Sequence, residues 1–292
     1  MLNELGATPA AGPVVFVPPV GRPVDSIARA QISLARLTEL VELAALVHTA
    51  EPYHVDPPDF ELPAGFKVSI VIPVYNEEGT IREILARVAA LPIPKEIVVV
   101  DDCSRDGTAA VLSELSAASD VKVFYKTHNE GKGAALRTGF EQATGDVVVV
   151  QDADLEYDPR DILALLRPLV RGEADVVYGS RFLHDKPQDR SPLHRLGNWL
   201  LTTASNLFTG LRITDMETCY KAFRRDVIQG LTIRQNRFGF EPEVTAKLAR
   251  RRVRLKEVPI SYNARSFAEG KKIGVKDLAN ALWCIVRYGV RD

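Results

Sequence analysis

The sequence predicts an α/β domain with a mostly parallel sheet and helices on both of its faces. Three observations carry that expectation. From Phe66 onward, runs rich in Val and Ile alternate with stretches of helical periodicity, and β-α-β-α order closes into a parallel sheet through right-handed crossovers. Three of these runs end in polar clusters, 73-PVYNE-77, 101-DD-102 and 152-DAD-154. Ligands of such sheets sit beyond the carboxyl ends of the strands, where strand order reverses, so the clusters are expected to meet there. Residues 1–65 lack the alternation and read as a separate extension.

Taken in order, residues 1–23 are rich in Pro, Gly and Ala and read as poorly ordered. Residues 24–48 read as a helix, because Ile27, Ala30, Leu34, Leu37, Val41 and Ala44 follow helical spacing among Arg29, Arg36, Glu39 and Glu42. It packs on the following domain or on a second copy of the chain, or else meets a membrane surface; its charges exclude a span. The linker over 51–65 carries Pro52, Pro57, Pro58 and Pro63. The domain proper, 66–292, opens with a strand over 67–74 and a helix from about Glu77 to Ala90. A second strand, 96–102, leads to a helix over 107–118 with Ser104 or Asp106 as its cap. A third strand, 121–126, leads through a Gly-containing turn to a helix over about 132–143.

The four valines 147–150 make the fourth strand, since β-branched chains suit a pleated, buried position, and Asp158 can cap a helix starting near Pro159. The fifth strand is 174–180. A helix over 194–211 holds more apolar residues (Trp199, Leu200, Leu201, Leu207, Phe208) than one core stripe needs. It is either buried, or faces lipid or an acceptor. Residues 218–228 suggest a strand and turn, 241–251 a helix and 253–262 a strand. The last element, 275–290, is an amphipathic helix with Val275, Leu278, Leu282 and Ile285 on one face, suited to core packing or to a membrane interface. Between Lys221 and Lys256 basic residues outnumber acidic ones, as on a solvated face or one that meets an anionic bilayer.

Composition narrows the function classes. With 292 residues, 46% of them hydrophobic, the chain can bury one full core and carry an appendage. A net charge of −1 offers no global attraction for nucleic acid. Cys103, Cys219 and Cys284 lack metal-type spacing and leave one unpaired in any disulfide scheme, which fits a reducing, cytosolic protein. Neither a signal peptide nor a run of about 18 uncharged apolar residues is evident.

The polar clusters suit the parts of a nucleotide. Asp152 and Asp154 lie two apart at a strand end and can point into one crevice, where hard cations such as Mg²⁺ or Mn²⁺ take oxygen ligands and hold a diphosphate. Glu77 and Asp101 or Asp102 can accept hydrogen bonds from a base or ribose, and Tyr75 offers an aromatic face. The turn 128-HNEGKGAALRTGF-140 puts Gly131, Lys132 and Gly133 at a helix start, a place favourable to anions. Capping and tight packing explain its glycines equally well. It matches neither the G-x-x-x-x-G-K-[ST] phosphate loop nor the G-x-G-x-x-G dinucleotide fingerprint.

Together, VIPVYNEE (71–78), VDDCSRDGT (100–108), NEGKGAALRTGF (129–140) and DADLEYDP (152–159) resemble glycosyltransferase family 2 in order and spacing. Within that family the chain is similar to dolichyl-phosphate mannose synthases and bacterial polyprenyl-phosphate sugar transferases. The likeness continues through YGSRF (178–182), Arg195 to Asn198, DMETCYKAFRRDV (215–227), FGFEPEV (238–244) and RSFAEGKKI (265–273). It implies the GT-A fold, a Rossmann-like, mostly parallel sheet, and a nucleotide-diphospho-sugar donor with a divalent metal. By this resemblance Pro73, Tyr75, Glu77 and Asp101 or Asp102 hold the nucleoside. Lys132 lies on the nucleotide, Asp152 faces ribose and metal, Asp154 binds the metal and Glu156 helps position it. Arg181, Arg195 and Asn198 lie toward the phosphates and acceptor, under a loop carrying Arg265, Lys271 and Lys272.

The resulting expectation is inverting transfer of a hexose to a polyprenyl phosphate, by a cytoplasmic protein that is peripheral at the inner membrane face. An acceptor phosphate is already ionised, so no general base is needed. The rival is a soluble family 2 enzyme acting on a hydroxyl of a sugar, lipid or protein, for which Asp215 or Glu217 would be the base. A catalytically silent assembly protein using the N-terminal helix is a further alternative, against which the full set of carboxylates and arginines argues.

Overall fold

The computed structural model describes residues 53–118, 121–183, 192–264 and 275–290. The helix expected at 24–48 and the loop carrying Arg265, Lys271 and Lys272 lie outside these residues. The element order is β1 (Val68–Val74), α1 (Ile81–Ala89), β2 (Lys95–Asp101), α2 (Thr108–Ala118), β3 (Val121–Tyr125), α3 (Lys132–Gln142) and β4 (Val147–Val150). A 3₁₀ turn (Pro159–Asp161), α4 (Ile162–Val170), β5 (Val176–Ser180) and α5 (Pro192–Thr209) follow. The chain continues through β6 (Lys221–Arg224), α6 (Arg225–Gln229), α7 (Phe240–Arg250), β7 (Leu255–Pro259) and α8 (Val275–Val290).

One seven-stranded sheet runs β3-β2-β1-β4-β6-β5-β7. Order reverses between β1 and β4, whose register brings Val71 beside both Val98 of β2 and Val150 of β4. Val74 and Asp101 end β1 and β2 side by side, and β4 ends opposite Val71, so the residues after Val150 run on toward the same end of the sheet, as the polar clusters require. One strand departs from the expected parallel arrangement. β6 is antiparallel to both β4 and β5, because the chain leaves β5 at its carboxyl end, forms α5 and re-enters the sheet from that same edge. The return segment 210–220 thus lies over the ligand side.

The central strands are buried on both faces, as near-continuous Val and Ile runs imply. Ile70 and Ile72 point into a core formed with Ile81, Ile84 and Leu85 of α1, Leu112 of α2 and Ile162 and Leu165 of α4. Val71, Val98, Val148 and Val150 point into the other, against Leu136 and Phe140 of α3, Phe240 and Val244 of α7 and Ile285 of α8. Asp158 caps the 3₁₀ turn, accepting from the Arg160 N–H at 2.9 Å.

Two helices expose apolar residues. In α5, Leu201, Thr202 and Ser205 are buried, whereas Leu196, Trp199, Leu200, Leu207 and Phe208 are exposed. In α8 the buried stripe is Ala281, Cys284, Ile285 and Tyr288. Of the face expected to be shared, Ile285 is core, but Leu278 and Leu282 join Trp283, Val286 and Val290 on the exposed side. The small residues at 281 and 284 let α8 lie close to α7, so the buried stripe is rotated from the bulkiest one. The two helices meet closely at Gly289, where a Cβ would lie 2.6 Å from that of Phe208.

Candidate active site

Loops leaving β1 and β2 are tied together at one end of the crevice. Asn76 sits in the left-handed region at φ 56°. Its N–H donates to Ser104 Oγ at 2.9 Å, and its Oδ1 accepts from the Arg105 N–H at 2.8 Å. Beside it the Glu77 carboxylate accepts from Thr80 Oγ1 at 2.7 Å, while its N–H bonds Thr108 Oγ1. Pro73 is half-buried, and Tyr75 stands exposed at the strand end. The adjacent carboxylates diverge. Asp101 gives Oδ1 to the Ser104 N–H at 3.1 Å, and burial raises its pKa above the ordinary value. Asp102 gives one oxygen to the Glu130 N–H at 3.1 Å and the other to the Gly131 N–H at 2.6 Å. It anchors the turn before α3.

That turn owes its glycines to packing. Gly131 has φ 103°, which L side chains rarely adopt, and a Cβ there would lie 2.6 Å from the Asn236 carbonyl oxygen. A Cβ on Gly133 would strike the Gln235 carbonyl. Close seating on 235–237 accounts for both residues and aims Lys132 along the first turn of α3 into the crevice.

The Lys132 ammonium lies 2.7 and 2.8 Å from the two oxygens of Asp152. It is also 2.9 Å from Cys219 Sγ and 3.9 Å from Glu241 Oε1. Burial opposes its charge, but Asp152, Cys219 and Glu241 more than offset that and hold its pKa well above 10.5. Asp154 Oδ1 accepts from the Glu156 N–H at 3.1 Å, and Leu155 between them is left-handed at φ 61°. The Glu156 carboxylate accepts from the Tyr262 hydroxyl at 2.9 Å. Among the described residues no three Asp, Glu, His or Cys side chains form a ready metal cage. The donor chemistry nevertheless fits Mg²⁺ or Mn²⁺: hard carboxylate oxygens from Asp152 and Asp154 suffice where substrate phosphates and water complete the shell.

Across the crevice, Arg181 follows β5 and grips Asp215 from the return segment. Nε to Oδ2 and Nη2 to Oδ1 are both 2.7 Å, and the Arg181 N–H adds a third bond. The guanidinium also stacks on the ring of Tyr262, 5.1 Å from its centroid. Asp215 is fully buried, with both of its carboxylate oxygens bonded to Arg181. Glu217 Oε1 is buried without a hydrogen-bond partner. Burial, with the Glu241 carboxylate nearby, pushes Glu217 up to about 8. Lys221 is fully buried, donating to the carbonyls of Met216 at 3.0 Å and Thr218, and standing 4.5 Å from the Tyr178 ring centre. Lys247 is buried as well, so the basic stretch is not simply a solvated face.

Arg195 is exposed near the start of α5. Asn198 is half-buried with an unpartnered Oδ1. Thr202 and Asn206, on the same stripe, bond Met216 and Ile213 of the return segment. Sequence reasoning missed Glu241, Lys221 and Tyr262 as parts of this site. Glu241 stood inside FGFEPEV, a motif noted but given no role.

The family model for glycosyl transferase family 2 matches residues 69–232, which include most of the residues described above, with Glu241 and Tyr262 beyond its end. The chain belongs to glycosyl transferase family 2. Among relatives of this family 2 chain, the dolichol-phosphate mannosyltransferase of Pyrococcus furiosus is 32% identical over 213 residues, covering 71% of this chain and 60% of that one. The undecaprenyl-phosphate 4-deoxy-4-formamido-L-arabinose transferase of Pseudomonas fluorescens is 36% identical over 213 residues, covering 70% and 59%. The chain thus spans about three-fifths of the length of these relatives. In fold it is similar to glucosyl-3-phosphoglycerate synthase of Mycobacterium tuberculosis, crystallised with Mn²⁺, uridine diphosphate and phosphoglyceric acid. The TM-score is 0.57 at 22% identity, covering 76% of this chain and 79% of that one. The fold is GT-A, as expected. Among the described residues no helix is long and apolar enough to cross a membrane.

Proposed function

We propose that the chain transfers a hexose from a nucleotide-diphospho-sugar to a polyprenyl phosphate on the cytosolic side of a membrane, with inversion at the anomeric carbon. The apolar face shared by α5 and α8 carries the acceptor half of this reading. Trp199, Leu200, Leu207 and Phe208 stand exposed on one helix and Leu282, Trp283, Val286 and Val290 on the other. Exposed apolar patches mark interaction surfaces, and Trp-rich amphipathic helices suit the headgroup boundary. The relatives' names, with dolichol phosphate and undecaprenyl phosphate, support the same acceptor class.

For the donor, Pro73, Tyr75, Glu77 and Asp101 take the nucleoside, and Lys132 and Asp152 face the diphosphate. Asp102 serves by holding the Gly131 turn. Mg²⁺ or Mn²⁺ held by Asp152 and Asp154 would supply positive charge to the departing diphosphate. Arg181 has two nitrogens on Asp215; Nη1 is the donor we assign to a phosphate oxygen, in a position where charge-assisted bonds are strong. The acceptor phosphate is ionised near neutral pH and needs no base. That suits a crevice in which Asp215 is bound to Arg181 and Glu217 keeps its proton up to about pH 8. Glu217 also supports a second reading. A buried carboxyl that titrates near the working pH is what a base for a hydroxyl acceptor requires.

A radiolabelled transfer assay decides between them. Several nucleotide-sugars are paired with polyprenyl phosphate and with soluble hydroxyl acceptors, with and without chelator. Chelator-sensitive label on the lipid phosphate is the expected result; label only on a hydroxyl acceptor overturns the proposal.

A further inference from the structure

We propose that Glu241 is a positioning residue for Lys132, receiving the lysine ammonium when metal and diphosphate occupy the Asp152 side of the crevice. The inference rests on the reading of Asp152 and Asp154 as metal ligands. Lys132 holds both oxygens of Asp152. A divalent cation arriving at that carboxylate therefore meets an ammonium group a few ångströms away, and like charges that close in a poorly hydrated crevice repel strongly.

The ammonium has somewhere to go. Glu241 Oε1 is already within 3.9 Å of Nζ, and Oε2 is buried without a hydrogen-bond partner in a residue only 3% exposed. An unpaired buried acceptor is costly, and its persistence in a folded site calls for a cause. Here the cause is a second seat for Lys132. The exchange conserves charge pairing, since Lys132–Asp152 becomes Lys132–Glu241 and Asp152 turns to the metal. Only the side chain has to swing. The backbone at the start of α3 stays anchored by the bonds from Glu130 and Gly131 to Asp102 and by the seating of Gly131 and Gly133 on 235–237.

The test is a double-mutant cycle on metal affinity, read without turnover. Bound Mn²⁺ is measured by loss of the free-ion electron paramagnetic resonance signal, with the full chain and saturating uridine or guanosine diphosphate. Glu241→Gln is expected to weaken Mn²⁺ binding about tenfold or more in the native background, but by less than about twofold in a Lys132→Met background. Equal losses in both backgrounds would mean that Glu241 acts on the metal or on the fold without Lys132, and would overturn the proposal. So would no loss in either. Failure of the underlying metal reading looks different: no chain, native or variant, binds Mn²⁺ with either nucleotide. Should Glu241→Gln fail to fold, Glu241→Asp keeps the charge but withdraws it, and a weaker loss confined to the native background is expected.

Discussion

Arg181 and Asp215 form a two-pronged ion pair, Nε on Oδ2 and Nη2 on Oδ1, each at 2.7 Å, with Asp215 fully buried and the Arg181 side chain 11% exposed. Removing either partner strands a charge. Breaking a buried pair in this way costs about 3–5 kcal/mol, whereas replacing both partners by apolar groups is often nearly neutral.

Asp215→Asn and Arg181→Met should each lower unfolding stability by several kcal/mol and also depress turnover, and Arg181→Met with Asp215→Leu should recover much of the stability but not the activity. Urea unfolding and initial-rate measurements check this. Single variants that lose under about 1 kcal/mol would show that the pair is solvated. Because Asp215 acts through Arg181, its replacement cannot distinguish a phosphate acceptor from a hydroxyl.

Asp154→Ala should abolish Mn²⁺ binding in the presence of nucleotide and cut transfer by about 10² or more, as loss of a Lewis-acid site does. Its cost to stability should be small beside the loss of activity, because the side chain is only half-buried at a strand end, where one of its bonds is from the Glu156 N–H. Transfer that survives in this variant, or in the native protein with excess chelator, would falsify the metal assignment.

Much of this site was legible in the sequence because parallel topology converts local pattern into position. Runs such as 68–74 and 147–150 are buried on both faces, so their ends had to meet at the reversal of strand order, and Asp101, Asp152 and Asp154 came with them. Side-chain pairing across the crevice was not legible. Lys132 finds Asp152 and Glu241 only after α3 and α7 have docked on the same side of the sheet, and nothing local marks either partner. The direction of β6 depends on where α5 hands back the chain. In sequence the glycines of the Gly131 turn suit an anion as well as packing, and only the carbonyls of 235 and 236 packed against them decide for packing.

Glu217 separates the acceptor classes, and it titrates. Folded, it keeps its proton up to about pH 8; unfolded, it loses it near 4.5. Between those values the unfolded chain binds fewer protons, so this residue lowers stability as pH rises through that window, by a few kcal/mol at most, and levels off above it. Glu217→Gln should flatten that part of the stability profile and be the more stable form at pH 9. Thermal unfolding at pH 5, 7 and 9 reads this directly. With a phosphate acceptor its single-turnover rate should stay within about tenfold of native; a loss near 10⁴, with native turnover climbing toward pH 8, would make it a general base.

The apolar face offers the last test. Trp199 is 60% exposed on α5 and Trp283 55% on α8, so neither contributes much to the core, and exposed substitutions usually change stability by under about 0.5 kcal/mol. Trp199→Glu and Trp283→Glu should therefore fold normally. Leu201, one turn face away and 7% exposed, belongs to the core, and Leu201→Glu should unfold the domain. If the face meets lipid, the native chain sediments with anionic vesicles, and each Trp variant partitions about tenfold less, since a buried aromatic is exchanged for a charge. Raising the salt should weaken only the electrostatic share of binding. Transfer to a long-chain polyprenyl phosphate in vesicles should fall with binding, while transfer to a short, water-soluble phosphate analogue stays unchanged, because the site at Asp152 and Arg181 is untouched. If instead the residues 1–52 cover these helices, a chain lacking them should bind vesicles more tightly than the full one. Native protein that ignores vesicles both with and without that segment leaves the face without a lipid role, and the hydroxyl-acceptor reading then becomes the stronger one.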